Sequence, residues 1–483
     1  MSHHSPARPA SIIRPATLTL VCLALAGLLF PMTGWAQGPA PSEASGGAAA
    51  TMRDDAQQAG GALPSVALQA MLDEALQENP EILAAAARRD AAAERPAQAG
   101  SLADPVLTGV YRNVGFDSLS LGEEMMSVAG IRFTQPVPYK GKRDLRAATA
   151  TRAIDVAASR LGLISRRVVR EVAEAYFELA YVDEAVEIVE DTRSYLINLE
   201  QTAEARYAVG EGIQQDVLKA QVEVSVLLNR LVVLEQQRSS TETRLNRLLD
   251  RPVATPIAGA AQLPAPSWNL LLDGLQGEAM ASSALLRERA RQIDERRAAL
   301  DIARSESKPD WILSGAWMNR GSLPDIWEVN VGITLPIYKD TKQDRAVAEA
   351  AAAVRASEHD LQDGSGIVAA AVRDQFLRAE RAARLLQLYG EAIIPQATLS
   401  LESAAAGYEV GRVDFLTVID NVVTLLTYQL EYYRQYADYM QALARIEEHV
   451  GRSLGATPAA VFGRISVPAG QLESSEVIPG GDR

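Results

Sequence analysis

The chain has 483 residues, with 47 Lys+Arg against 61 Asp+Glu, a net charge of -14 and only 22% charged residues. That balance excludes nucleic-acid recognition, because phosphate binding needs a concentrated basic surface and no long Lys/Arg block occurs. A single cysteine rules out an intrachain disulfide framework, and four scattered histidines leave little for a zinc cage.

Residues 1–36 read as a secretory signal peptide. Arg8 and Arg14 precede an apolar run from Leu18 to Phe30, and the small residues Gly34 and Ala36 frame a cleavage point before Gln37. The run is too short and too early for a membrane anchor. Cys22 lies inside it, behind Thr19, Leu20 and Val21 rather than the Leu-small-small sequence that precedes a lipid-acceptor cysteine. A mature chain without thiols suits an oxidising compartment. Residues 37–64, mostly Ala, Gly, Ser and Pro, are expected to be disordered, and the tail 457–483 is expected to be loose at its end.

Between these ends the chain repeats itself. Thr134, Pro136, Lys142 and Asp144 recur as Thr334, Pro336, Lys342 and Asp344, and Tyr207-Ala-Val-Gly210 recurs as Tyr408-Glu-Val-Gly411. Shared order and spacing divide the chain into copies at 65–256 and 257–456. Each is expected to hold a helix, two short strands and two long helical stretches that reverse near 210 and 411.

From Asp144 to Tyr207 there is no Pro and only one Gly, Gly162, and apolar residues recur at helical spacing, as in Val172, Tyr176, Leu179, Val182 and Val186. Such a helix runs on the order of 90 Å, so antiparallel hairpins packed as coiled coil follow. In the second copy, Gly364-Ser-Gly366 predicts a kink or short break.

Strands are expected at about 105–113, 126–138, 309–318 and 327–338. In the last of these the odd positions Trp327, Val329, Val331 and Ile333 are apolar and the even ones largely polar or small. Ile131 and Phe133 share a face in the equivalent run of the first copy. Strands of this length with one apolar face suit a lipid-exposed β-barrel wall. Trp311, Trp317 and Trp327 cluster in one hairpin, where amphipathic rings mark a lipid-water boundary. Four strands cannot close a barrel, and open edges in hydrocarbon are costly, so the chain must associate; two copies would give eight strands and three would give twelve.

Catalytic chemistry is missing from the pattern. His359 and His449 sit on helices without a neighbouring His or Cys, Gly210-Glu-Gly212 lacks the strand of a dinucleotide site, and Met125 and Met126 read as packing residues rather than a metal relay. No enzyme activity, cofactor or metal site is expected. The segment Glu171 to Asp191 carries eight carboxylates and no Lys or Arg. It predicts a solvated helix face or, in a tunnel, a cation-favouring lining.

Over residues 66–456 this plan resembles the TolC-type outer-membrane efflux proteins, or outer-membrane factors. The resemblance is carried by Leu72-Asp-Glu-Ala-Leu-Gln-Glu-Asn-Pro80, by the strand exits Gln135-Pro-Val-Pro-Tyr-Lys-Gly141 and Leu335-Pro-Ile-Tyr338, and by the turns Tyr207 to Gln221 and Tyr408 to Asp420. It implies a mixed α/β membrane protein: a homotrimer whose chains give four strands each to a twelve-stranded barrel continued by an α-helical tunnel. It implies residence in the outer membrane of a Gram-negative bacterium, in contact with outer-membrane lipid and with a large periplasmic part. The implied partners are a periplasmic adaptor (membrane fusion protein) and an inner-membrane pump of the resistance-nodulation-division type. Strand exits such as Pro138-Tyr-Lys-Gly141 resemble the heavy-metal branch.

The resemblance also assigns residues. Asp216 and Asp420 match acidic residues that narrow the periplasmic end of the tunnel, Tyr408 matches a latch residue, and Arg412 lies one position from the latching arginine. Val209, Gly210, Ile213, Val410, Gly411 and Val413 are the expected hairpin tips that dock the adaptor. A periplasmic coiled-coil adaptor or scaffold is the competing class, although it would not repeat two strand hairpins between long helices.

Overall fold

The computed structural model describes residues 64–115, 121–258 and 270–465. The signal peptide, nearly all of the segment 37–64 and the end of the tail lie outside them. The first copy begins with α1 (Pro64–Glu78), α2 (Pro80–Ala93) and α3 (Arg95–Gly100), followed by strands β1 (Val106–Arg112) and β2 (Val128–Val137). It continues with α4 (Lys142–Ala208) and α5 (Gln214–Leu248). The second copy comprises α6 (Leu272–Ser282), α7 (Ala284–Ser305), β3 (Asp310–Arg320), β4 (Leu323–Thr334), α8 (Gln343–Leu388), α9 (Ile394–Glu409) and α10 (Phe415–Val450). A short α11 (Ala459–Ile465) follows, so the tail is helical where it begins.

Local signals place these boundaries. Asn79 caps α2 by accepting from the Glu81 and Ile82 backbone N–H groups, with Pro80 in the first turn where its missing donor costs nothing. Its amide also donates to the Leu248 carbonyl at 2.8 Å, tying α2 to the end of α5. α4 has 67 residues, about 100 Å at 1.5 Å per residue. A helix that long is held by packing, and α4 buries Val168, Val172, Tyr176, Leu179, Val182 and Val189 along one stripe.

α4 is the central element. It packs against α5 and α10 along the hairpins and against α7 nearer the strands, while α10 packs in turn on α8 and α9. One core, around Leu72, Val172, Tyr176, Leu245 and Leu443, joins α1, α4, α5 and α10. A second, around Val189, Leu196, Leu231, Val418 and Ile419, runs toward the hairpin turns. The four strands form one antiparallel sheet in chain order, so β1 and β4 are left as unpaired edges.

Two expectations fail here. Helix α8 passes through Gly364-Ser-Gly366 without a break. Gly364 is buried against α7, where even a Cβ would make only an ordinary contact with Leu286 at 3.4 Å, so packing holds the helix through the glycines. The irregularity falls later, at a single π-helical turn, Tyr389–Ile393. Pro395 has no N–H to return to the preceding turn, and Ile394 bonds back to the Tyr389 carbonyl, one residue further than in an α-helix. The last strand also differs. β4 starts four residues earlier than the alternation suggests and ends at Thr334, opposite Asp310, the first residue of its partner β3.

The close of α10 is tightly built. Gly451 adopts φ 75°, and a Cβ there would lie within 2.9 Å of the Arg166 guanidinium. That guanidinium donates to the Ser282 and Glu448 carbonyls. Gly451→Ala should therefore cost about 1–2 kcal/mol from the left-handed backbone alone, with a further loss from displacing Arg166; thermal unfolding of the purified protein measures it.

Candidate channel wall and periplasmic gate

The sheet sorts its side chains by face. Across the ladder Ile131 lies opposite Trp317 and then Trp327, Phe133 opposite Gly315 and then Val329, Leu313 opposite Val331, and Trp311 opposite Ile333. All are apolar or Gly. Trp327, Val329 and Val331 expose 78%, 83% and 64% of their surface, so this face has no cover within the chain. The opposite face holds Thr134, Ser314 and Asn330 in one row and Arg132 and Glu328 in the next, the last two paired at 3.2 Å. A small cluster of Val128, Ala316 and Met318 fills the remainder of that face. β4 has 12 residues, about the length needed to cross a bilayer at the tilt of a barrel strand. Among the described residues, no helix is long and apolar enough to cross a membrane.

At the far end of the hairpins the two turns share one geometry. The Gly210 N–H donates to Tyr207 O and the Glu211 N–H to Arg206 O. In the second copy the Gly411 N–H donates to Tyr408 O and the Arg412 N–H to Gly407 O. Both are Schellman closures, which need a left-handed residue, and Gly210 and Gly411 supply φ 77° and 71°. Val209 and Val410 stand out at the tips, 71% and 67% exposed, and Ile213 is exposed beside them. Val413 is half-buried and packs toward Gly407.

Of the four residues expected at the gate, the structure brings Tyr408 and Asp216 into electrostatic reach. Tyr408 is buried against Phe415, with ring centroids 5.4 Å apart. Burial raises its hydroxyl above the usual phenol range, and the Asp216 charge adds to this. Asp216 is itself pushed up, by burial first and then by Asp414. Asp420 lies apart, exposed on α10, where its charge helps raise Lys219 beside the stronger hydrogen bond from Lys219 to Glu223. A cleft of about 470 Å³ between the starts of α5 and α10 is lined by Asp216, Leu218, Lys219, Val222 and Leu416. Arg412 is exposed. The guanidinium over the Tyr408 ring is that of Arg206, 4.4 Å from the centroid. Arg206, Asp414 and Lys219 were missed by sequence reasoning; only a pairing of the two turns in space could have singled them out.

The acidic run on α4 is neither a solvated face nor a free lining at its start. Glu174 is buried and meets Arg170 at 2.9 Å, Arg445 at 2.7 Å and Arg244 at 3.4 Å. Burial alone would raise its carboxyl, yet Arg170 and Arg445 hold it below the usual range. Glu178 is likewise held low against burial by both guanidinium nitrogens of Arg434 at 3.0 Å. Asp183 pairs with Arg238 at 2.8 Å. These carboxylates fasten α5 and α10 to α4. His359 is exposed and His449 half-buried, and no group of three or more potential metal ligands occurs among the described residues.

Comparison with known proteins agrees with this architecture. The family model described as outer membrane efflux protein matches residues 71–251. The chain is 25% identical over 325 residues to the cobalt-zinc-cadmium resistance protein CzcC of Cupriavidus metallidurans, covering 66% of this chain and 75% of that one. It is 24% identical over 403 residues to the outer membrane protein TolC of Vibrio cholerae, covering 80% and 90%. The crystal structure of the outer membrane protein VceC from Vibrio cholerae superposes with a TM-score of 0.68 at 18% identity, covering 80% of this chain and 96% of that one. Sheet, hairpins and repeat thus have the fold of outer-membrane channels of this kind. Residues 71–251 match the outer membrane efflux protein family, and the chain as a whole has the fold of the outer-membrane efflux channels and is similar to TolC over most of its length.

Proposed function

We propose that three copies of this chain form the outer-membrane conduit of a tripartite efflux system, passively carrying heavy-metal cations delivered by a resistance-nodulation-division pump and a periplasmic adaptor. The observation that carries the conduit is the uncovered apolar face of the sheet between two unpaired edges. Edge N–H and C=O groups cannot stay open in hydrocarbon, so β1 of one copy pairs with β4 of the next. The helical part fits the same closure. Exposed apolar side chains remain on α5, at Leu218, Val222 and Val226, and on α8 and α9, at Leu377, Leu388 and Leu399, for a neighbouring copy to cover.

Ile131, Phe133, Trp327, Val329, Val331 and Ile333 then face lipid. The tips Val209, Gly210, Ile213, Val410, Gly411 and Val413 dock the adaptor, and the cleft beside Asp216 extends that surface. Similarity to CzcC favours metal cations as cargo. A deletion strain tests the cargo: loss of resistance to Co²⁺, Zn²⁺ and Cd²⁺, restored by the gene, is expected, whereas sensitivity to organic drugs alone would replace metals with drugs.

In the trimer, Asp216 and Asp420 supply six carboxylates near the periplasmic mouth, with Lys219 offsetting part of their field. A ring of this kind concentrates cations. Asp420→Ala should lower cation selectivity in a planar bilayer and weaken block by multivalent cations, without loss of trimer. Unchanged selectivity with a less stable helix would leave Asp420 as a residue that serves only α10.

A further inference from the structure

The ends of α4 and α9 belong to different copies of the repeat, and one side chain ties them together. Arg206, in the last turn of α4, lays its guanidinium over the Tyr408 ring, 4.4 Å from the centroid. Its two terminal nitrogens donate to the Tyr408 and Glu409 carbonyls at 3.0 and 2.8 Å. Those carbonyls close α9, where a helix has acceptors to spare and the negative end of its dipole, so a cation is favoured twice over. The ring beneath is seated on Phe415, the first residue of α10. Arg206 therefore bears on the whole closing turn of the second hairpin.

The second copy has no counterpart. Aligned on Tyr207 and Tyr408, the position of Arg206 is occupied by Gly407. A side chain there would collide with Val413, whose Cγ2 lies 2.5 Å from where a Cβ would sit. The restraint thus runs one way, from the first hairpin onto the second.

We propose that Arg206 is the positioning residue of the periplasmic gate: it clasps the Tyr408 turn in the closed arrangement, and the mouth widens when the second hairpin slips off this guanidinium. This rests on the reading of Asp216, Tyr408 and Asp420 as the gate. The geometry asks for arginine, because a planar fork both stacks on a ring and caps two carbonyls, whereas a lysine ammonium is a point charge on a flexible stem.

Full-length trimer in planar bilayers tests the clasp. Tyr408→Ala reports on the gate itself and should raise mean conductance. Arg206→Ala should raise it roughly fivefold to tenfold, as a shift of the closed population toward open, with the SDS-resistant fraction of trimer unchanged. Arg206→Lys should resemble Arg206→Ala. The double variant should conduct no more than Tyr408→Ala alone, since Arg206 acts through that ring. If Tyr408→Ala opens the channel and Arg206→Ala does not, the clasp is wrong and the gate stands. If neither responds, both are wrong. Additive effects in the double variant would also overturn the clasp. Should Arg206→Ala fail to assemble, Arg206→Gln, which keeps one carbonyl cap and loses the stack, must still raise conductance.

Discussion

Val331→Arg should sharply reduce assembled protein in the outer membrane, whereas Asn330→Arg, one residue away, should leave it near normal. Val331 stands among exposed apolar neighbours, opposite Leu313 across the ladder. An arginine on the lipid face near the bilayer midplane costs about 2–4 kcal/mol, and a closed ring of three chains pays it three times. Asn330 lies on the other face, already hydrogen-bonded to the Glu328 carboxylate, which would receive a guanidinium. Heat-modifiable trimer in the membrane fraction is the readout. Equal losses from both would reject the assignment of faces.

Glu447→Ala should cost about 3 kcal/mol, because it strips the acceptor from several buried donors at once. Its carboxyl is 1% exposed near the end of α10. One oxygen accepts from the backbone N–H groups of Leu454, Ala456 and Thr457, and the other from the Thr457 hydroxyl at 2.6 Å. Together these fold residues 451–457 back against the helix. Burial pushes the carboxyl up to about 7 despite the four donors. A neutral acid fits as well, since the Thr457 hydroxyl can rotate to accept a proton from the second oxygen.

The sign of the pH dependence follows. With the folded value raised from 4.5 to about 7, the folded state holds the proton more tightly. This group's contribution is complete below pH 4.5 and is lost as pH rises through about 7. Glu447→Gln, which keeps the acceptor toward the three N–H groups, should retain most of the stability and flatten that window. Melting curves of the three proteins between pH 4.5 and 7.5 decide it. An alanine variant as stable as the original would remove the structural role.

How much of this was legible in the sequence depends on the range of the interaction. Alternation at Trp327–Ile333 and the two Tyr-x-Val-Gly turns are local statements, and the sheet register and Schellman closures follow from them. The acidic run on α4 misled because its partners Arg434 and Arg445 stand more than 250 residues away on α10. Arg206 and Tyr408 are likewise 202 residues apart, so nothing near either announces their contact. Gly364 was misjudged for a related reason. A glycine costs a helix about 1 kcal/mol relative to alanine, and burial of α8 against α7 around Gly364 offsets it.

The unlike edges of the sheet bear on how the gene behaves. β1 and β4 differ in length and side chains, so each contact joins one chain's head to another's tail, and a ring closes only when every member carries both ends intact. A subunit damaged along β1 alone would still offer a sound β4, join its neighbours and block closure. Alleles of that kind are expected to be dominant over a normal copy, while alleles that unfold the whole chain are recessive.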